Sequence, residues 1–257
     1  MVLLSLFFIL QVTAYADCEQ GDCQNGIGKS IDQEGRVYEG AFKDGYPWGA
    51  GTLRHPDGSA YQGQMVMGRY HGRGTLVSKD GRKYTGTFQN GVIHGRGTMT
   101  FAGGMEYAGE FDLGRYNGQG NLFFPDGREY FGDFRSGVLH GKGKMLYADG
   151  SSFEGIFVDG KPAGQGIRRY LDGSRYTGIF IDNHREGQGV LELFDKSRYE
   201  GGFHQDLYDG KGTLTAADGT VQNGIFKQGV LVETSNEQRK QLTRQAEESD
   251  TQEQGWE

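Results

Sequence analysis

The chain has 257 residues, of which 46 are Gly and only 4 Pro. Its hydrophobic content is 35% and its mean hydropathy −0.64, too little apolar matter for an ordinary closed core. With no Gly-X-Y period, collagen is excluded. The net charge of −7 carries none of the basic excess expected of a nucleic-acid binder and weighs against docking on anionic lipid.

Residues 1–16 read as a signal peptide. Met1–Leu10 is almost wholly apolar, and Ala14-Tyr15-Ala16 is a small-residue cleavage pattern, with the cut expected after Ala16. The apolar run lacks a preceding Lys or Arg and is too short for a comfortable membrane span. The expected location is secreted or periplasmic; the alternative is a chain anchored in a membrane by this segment.

Residues 17–37 form an N-terminal segment holding the chain's two cysteines, Cys18 and Cys23. In an oxidising compartment this pair can close one small disulfide loop; the alternative is two solvent-facing thiols. The pair is too small a set for a structural zinc site. Gly26-Ile27-Gly28 in the same segment reads as the second half of a repeat.

From Tyr38 to residue 221 one period of 23 residues governs the chain. Tyr38, Tyr61, Tyr84, Tyr107, Tyr130, Phe153, Tyr176 and Tyr199 mark it, each followed two residues on by Gly and four residues on by Phe or Met. A Gly-x-Gly pair comes next, as at Gly49/Gly51 and Gly95/Gly97, then Leu or Met, as at Leu53, Leu76, Met99, Leu122 and Met145. Most units close on Asp-Gly. The alternation Tyr-x-Gly-x-Phe puts three residues on one face of a strand, and Gly-x-Gly-x-Leu does the same on the returning strand. Each unit therefore reads as a β-hairpin.

With symmetrical tight turns, Tyr38 falls opposite Leu53, Gly40 opposite Gly51, and Phe42 opposite Gly49. The rings then lie over bare glycine on the neighbouring strand, restoring burial that glycine alone would forfeit. The expected fold is all-β: an elongated, twisted, single-layer antiparallel sheet of tandem hairpins, each unit advancing about 10 Å. Residues 222–231 read as a terminal half repeat. Residues 232–257 form a polar tail, expected to be largely disordered, with a short helix beginning at a capping box over Ser235–Gln238.

These residues resemble the MORN (membrane occupation and recognition nexus) repeat family, whose pattern is Y-x-G-x-F-x-x-G-x-x-x-G-x-G-x-L-x-x-x-D-G. Departures are small: Phe153 replaces Tyr, Met65 replaces Phe, and Asn183 and Asp206 stand where the loop Gly is expected. The resemblance implies an array that holds partner proteins or self-associates, with some relatives linked to membranes. It brings no catalytic chemistry of its own.

No catalytic set emerges from the residues, and neither a cofactor nor a small-molecule substrate is expected. The glycine-rich stretches lack the G-x-x-x-x-G-K-[ST] phosphate loop. His71, His94 and His140 recur at one loop position, but equivalent positions lie about 10 Å apart, too far to share a metal ion. Two surfaces invite a binding reading. One is a row on the Tyr/Phe face: Phe101, Phe124, Tyr147, Tyr170 and Leu193. The other is an apolar patch on the opposite face: Ile156, Val158, Ile167, Ile179, Ile181 and Val190, with Ile167 expected beside Ile179 on the next strand.

The leading expectation is an exported, non-enzymatic scaffold or adaptor that binds another protein or a second copy of itself. The alternative is a peripheral protein docking on anionic phospholipid through Arg73, Arg96, Lys142 and Lys211, which share one position of the return strand.

Overall fold

A computed structural model describes residues 17–234. The expected signal peptide and the tail with its capping box lie outside these residues. The described residues form 20 strands and no helix, divided between two compact units, the first ending at Pro125 and the second beginning at Asp126.

The first unit runs β1 (Asp17–Gly21), β2 (Ile27–Ile31), β3 (Val37–Lys43), β4 (Tyr46–Arg54), β5 (Ala60–Val66), β6 (Arg69–Val77), β7 (Lys83–Gln89), β8 (Val92–Thr100), β9 (Glu106–Asp112) and β10 (Arg115–Phe123). The second runs β11 (Glu129–Arg135), β12 (Val138–Leu146), β13 (Ser152–Val158), β14 (Lys161–Arg169), β15 (Arg175–Ile181), β16 (His184–Glu192), β17 (Arg198–His204), β18 (Leu207–Thr215), β19 (Val221–Lys227) and β20 (Val230–Thr234). Within each unit every strand pairs antiparallel with the next in sequence. The terminal half repeat at 222–231 gains a return strand, β20, which extends it to Thr234.

Two cross-strand rows explain the sequence period. In the first unit, Gly28, Gly40, Gly51, Gly63 and Gly74 pair one after another, and the row continues through Gly86, Gly97, Gly109 and Gly120. Beside it runs a row in which Tyr38 pairs with Leu53, Leu53 with Tyr61, and Tyr61 with Leu76. Each tyrosine ring leans over the glycine of its own return strand: a Cβ at Gly51 would lie 2.4 Å from Cε2 of Tyr38, and one at Gly97 2.5 Å from Cε2 of Tyr84. Only hydrogen fits there. Each hydroxyl donates to a backbone carbonyl three residues on, as Tyr107 to Glu110 at 2.8 Å and Tyr130 to Asp133 at 2.9 Å.

The Phe residues lock the units together. Tyr84 meets the edges of Phe88 and Phe111, both with centroids 5.1 Å apart, and Tyr176 meets Phe180 and Phe203 at 5.1 and 4.9 Å. These are the T-shaped contacts that ring quadrupoles favour. The buried residues are this repeated set, from Tyr38 and Phe42 to Tyr199, Phe203 and Phe226.

The register near the hairpin turns differs from the symmetrical expectation. Phe42 pairs with Pro47, not Gly49, and the ladder shifts between Gly40 and Phe42. The turn itself is only two residues, Asp44-Gly45, both with positive φ (51° and 77°), the type I′ geometry that suits strand twist. Gly49 adopts φ 74° in a bulge and pairs outward with Met65 of the next hairpin. The two glycines of Gly-x-Gly thus serve different needs: the first bends the strand, the second makes room for a ring.

Candidate partner-binding surfaces

The row on the ring side occupies the turns between hairpins. Phe101 and Phe124 in the first unit, and Tyr147, Tyr170 and Leu193 in the second, are all half-buried. Their backbones close these turns: Tyr147 N–H donates to Ser151 O and Gly150 N–H to Tyr147 O, with the same pair of bonds at Tyr170 and at Leu193. In the second unit the next residue along is apolar and open, with Leu171 74% and Phe194 73% exposed.

The opposite-face patch does not have the expected packing. Ile167 pairs with Thr177, and Ile179 with Gln165, because Gly166 stands opposite Gly178 and in an antiparallel pair the residues that follow these glycines lie to opposite sides of them. The six residues divide into three places. Ile167 and Val190 flank Thr177 on successive strands. Ile156 and Ile179 lie over the bulge glycines Gly164 and Gly187. Val158 and Ile181 sit at hairpin ends, more than 40% exposed, and line a hollow of about 460 Å³ with Lys161 and Asp182.

Of the four basic residues, Arg73 and Arg96 belong to the first unit. Together with Thr75, Thr85, Thr98 and Gln119 they wall a groove of about 850 Å³ whose floor is the glycine row. Arg96 Nη2 is paired with Glu110 at 3.1 Å. Lys142 and Lys211 stand opposite Ile156 and Ile225 in the second unit. Arg73, Lys142 and Lys211 have no acidic partner among the described residues.

His94 lies 3.4 Å from Asp112, and no group of three metal-ligating side chains occurs among the described residues. Cys18 and Cys23 are joined, with Cα atoms 5.8 Å apart.

The sequence reading passed over two arginines. Arg168 stands in the column of Leu53, Leu76 and Met145, paired with Phe153 and Tyr176. Arg185 stands in the column where Tyr70, Tyr116 and Tyr208 stack on core tyrosines at 3.7–3.9 Å. Arg185 instead covers Tyr176 and Phe203 with its guanidinium, at 5.7 and 5.4 Å from the ring centres. It is gripped by Asp206, through Nε to the carboxylate at 3.2 Å and Nη2 to the carbonyl at 2.6 Å. Burial pushes the Asp206 carboxyl up, but bonds from the Arg185 backbone N–H and the His184 ring, and the Arg185 charge, hold it below the ordinary carboxylate value.

Arg168 is held differently. Its guanidinium lies over Tyr147 and Tyr170, 4.8 and 5.8 Å from the ring centres, and Nη1 donates to Asn183 Oδ1 at 2.9 Å. Its Nε is buried without a partner. A cavity of about 290 Å³ opens between Arg168, Tyr170, Asn183, Arg185 and Asp206. In the sequence these breaks lie apart: Asn183 and Asp206 replace turn glycines one repeat after Arg168 and Arg185, the residues that bind them.

The family model of the MORN repeat matches eight segments: residues 38–60, 61–81, 84–106, 107–127, 130–152, 153–175, 176–198 and 199–221. A comparison with curated proteins gives no match. Among solved structures, the TCP domain of Drosophila melanogaster SAS-4 (dCPAP), in complex with a proline-rich motif of Ana2, is 14% identical. That match covers 60% of this chain and 85% of that one, with a TM-score of 0.38. The G-box domain of the microcephaly protein CPAP is 16% identical over 79% of this chain and 100% of that chain, with a TM-score of 0.43. The TCP10 domain of Danio rerio CPAP is 17% identical over 80% and 98%, with a TM-score of 0.31. At these scores the likenesses carry no argument about what this chain does.

Proposed function

Because this chain belongs to the MORN repeat family, a family of binding repeats, we propose that it is an exported scaffold that holds a protein partner or a second copy of itself, without catalysing a reaction. The observation that carries this reading is the apolar edge of the second unit, where Tyr147, Tyr170 and Leu193 are half-buried beside the exposed Leu171 and Phe194. Side chains of this kind, displayed by a sheet fixed through backbone bonds, present an interface with little ordering cost on binding.

A photo-reactive amino acid at position 194 tests it in the living cell. The expected result is a covalent adduct with one defined protein, or with the chain itself, absent when the label is moved to the exposed Lys79. Equal labelling at both positions would sink the proposal. For export, the N-terminus of the protein recovered outside the cytoplasm is expected to be Asp17; a chain that keeps residues 1–16 would count against cleavage.

A second reading, docking on anionic phospholipid, draws on the unpaired Arg73, Lys142 and Lys211. It requires vesicle flotation that weakens as salt rises from low to about 0.5 M, since screening shortens the reach of exposed charges.

A further inference from the structure

Within the second unit, the cavity at Arg168 is a place where the repeat pattern is broken in favour of charge. A guanidinium replaces an apolar side chain on the ring face, and its neighbour Arg185 does so again. The two arginines are not balanced alike. Asp206 is ion-paired with Arg185, whereas Arg168 is hydrogen-bonded to the neutral Asn183 amide and meets a carboxylate, Asp149, only through a Coulombic interaction. The buried Nε of Arg168 lacks an acceptor, and Tyr170, which lines the same cavity, makes no hydroxyl hydrogen bond among the described residues.

We propose that this cavity receives the carboxylate of an acidic side chain carried by a protein segment laid across the ring face of the second unit. A planar carboxylate matches the fork of a guanidinium, and Tyr147 and Tyr170, over whose rings the Arg168 guanidinium lies, hold that fork in place. A carboxylate monoanion is repelled less by the Asp206 carboxylate on the cavity wall than a phosphate dianion would be. The site rests on the scaffold reading, because the carboxylate is taken to arrive on a partner protein.

The test uses the purified full-length protein and two peptides, acetyl-Phe-Glu-Leu-amide and acetyl-Phe-Gln-Leu-amide, with methyl phosphate as competitor. The Glu peptide is expected to bind at least about tenfold tighter than the Gln peptide. It should shift the Arg168 Nε–H resonance. In Arg168→Leu, which restores the residue found in the equivalent column, the preference should vanish while the melting temperature does not fall. Arg168→Lys should keep part of the preference, because the charge remains and the fork is lost. Equal affinity for the two peptides, or a Glu preference that survives Arg168→Leu, would overturn the site. Displacement of the Glu peptide by methyl phosphate at lower concentration would overturn the choice of carboxylate. A clear Glu preference in a protein that cross-links to nothing at position 194 would support the site and count against the scaffold reading alone.

Discussion

Tyr84 and Phe153 hold the same place in their repeats and differ by one oxygen atom. In Tyr84 that oxygen donates to the Thr87 carbonyl at 3.0 Å; at Phe153 the corresponding carbonyl, on Ile156, has no such donor. The donor matters because the bulge takes the carbonyl's residue out of the regular ladder, as the shift between Gly86 and Phe88 shows. A backbone group removed from a ladder must be satisfied some other way or costs stability. Tyr84→Phe is therefore expected to lose about 1 kcal/mol, and Phe153→Tyr to gain less than that, because Ile156 keeps its ladder partner Ala163. Urea unfolding of the two variants checks both signs; a loss in each case would mean that the hydroxyl is not what distinguishes the positions.

At the scale of the hairpin, the two glycines of each return strand are expected to fail for separate reasons. Gly74→Ala drives a Cβ to 2.5 Å from the Tyr61 ring and should cost about 1–3 kcal/mol as an overpacked core. Gly72→Ala meets only the Gln64 side chain at 3.3 Å, but holds φ +58°. Its cost should be about 1–2 kcal/mol, from the left-handed backbone alone. Replacing Tyr61 by Leu separates them: it should relieve much of the first penalty and none of the second. Much of this geometry was legible in the sequence. The pairs Tyr38–Leu53 and Gly40–Gly51 follow from alternation and from the Asp-Gly punctuation between units. The bulge was not legible, because counting inward from Gly40 and Gly51 gives a symmetrical loop just as readily, and only the positive φ at Gly49 makes it asymmetric. Ile167 and Ile179 miss each other for a simpler reason: with Gly166 opposite Gly178, antiparallel pairing sends the residues after those glycines to opposite sides. For the candidate site, the turn-edge row could be read from spacing. Arg168 could not, because its significance depends on a contact with Asn183 fifteen residues away.

For the whole molecule, the repeated tyrosine has a consequence that one copy would hide. Burial pushes the hydroxyls of Tyr38, Tyr61, Tyr176 and Tyr199 up to about 12 from an ordinary value of 10.0. A group that is harder to ionise when folded stabilises the fold below the unfolded value, and that contribution is lost as pH rises from about 10 through about 12. Several such groups in one chain should make alkaline unfolding steep. Absorbance titration at 295 nm is expected to show these hydroxyls ionising together with the loss of β structure by circular dichroism. Independent titration at pH 10 with the sheet intact would show that the rings are not held as described.

The unbroken glycine row has a bearing on inheritance. Each glycine meets the same partner within its own hairpin as it meets in the next, Gly51 facing Gly40 on one side and Gly63 on the other. A recombination event that inserts or deletes one whole period in the gene therefore leaves every remaining strand with a neighbour of the kind it had before. Within either unit, length can drift between lineages without a compensating change elsewhere. A deletion that is not a whole number of 23-residue periods would break the match between neighbouring strands.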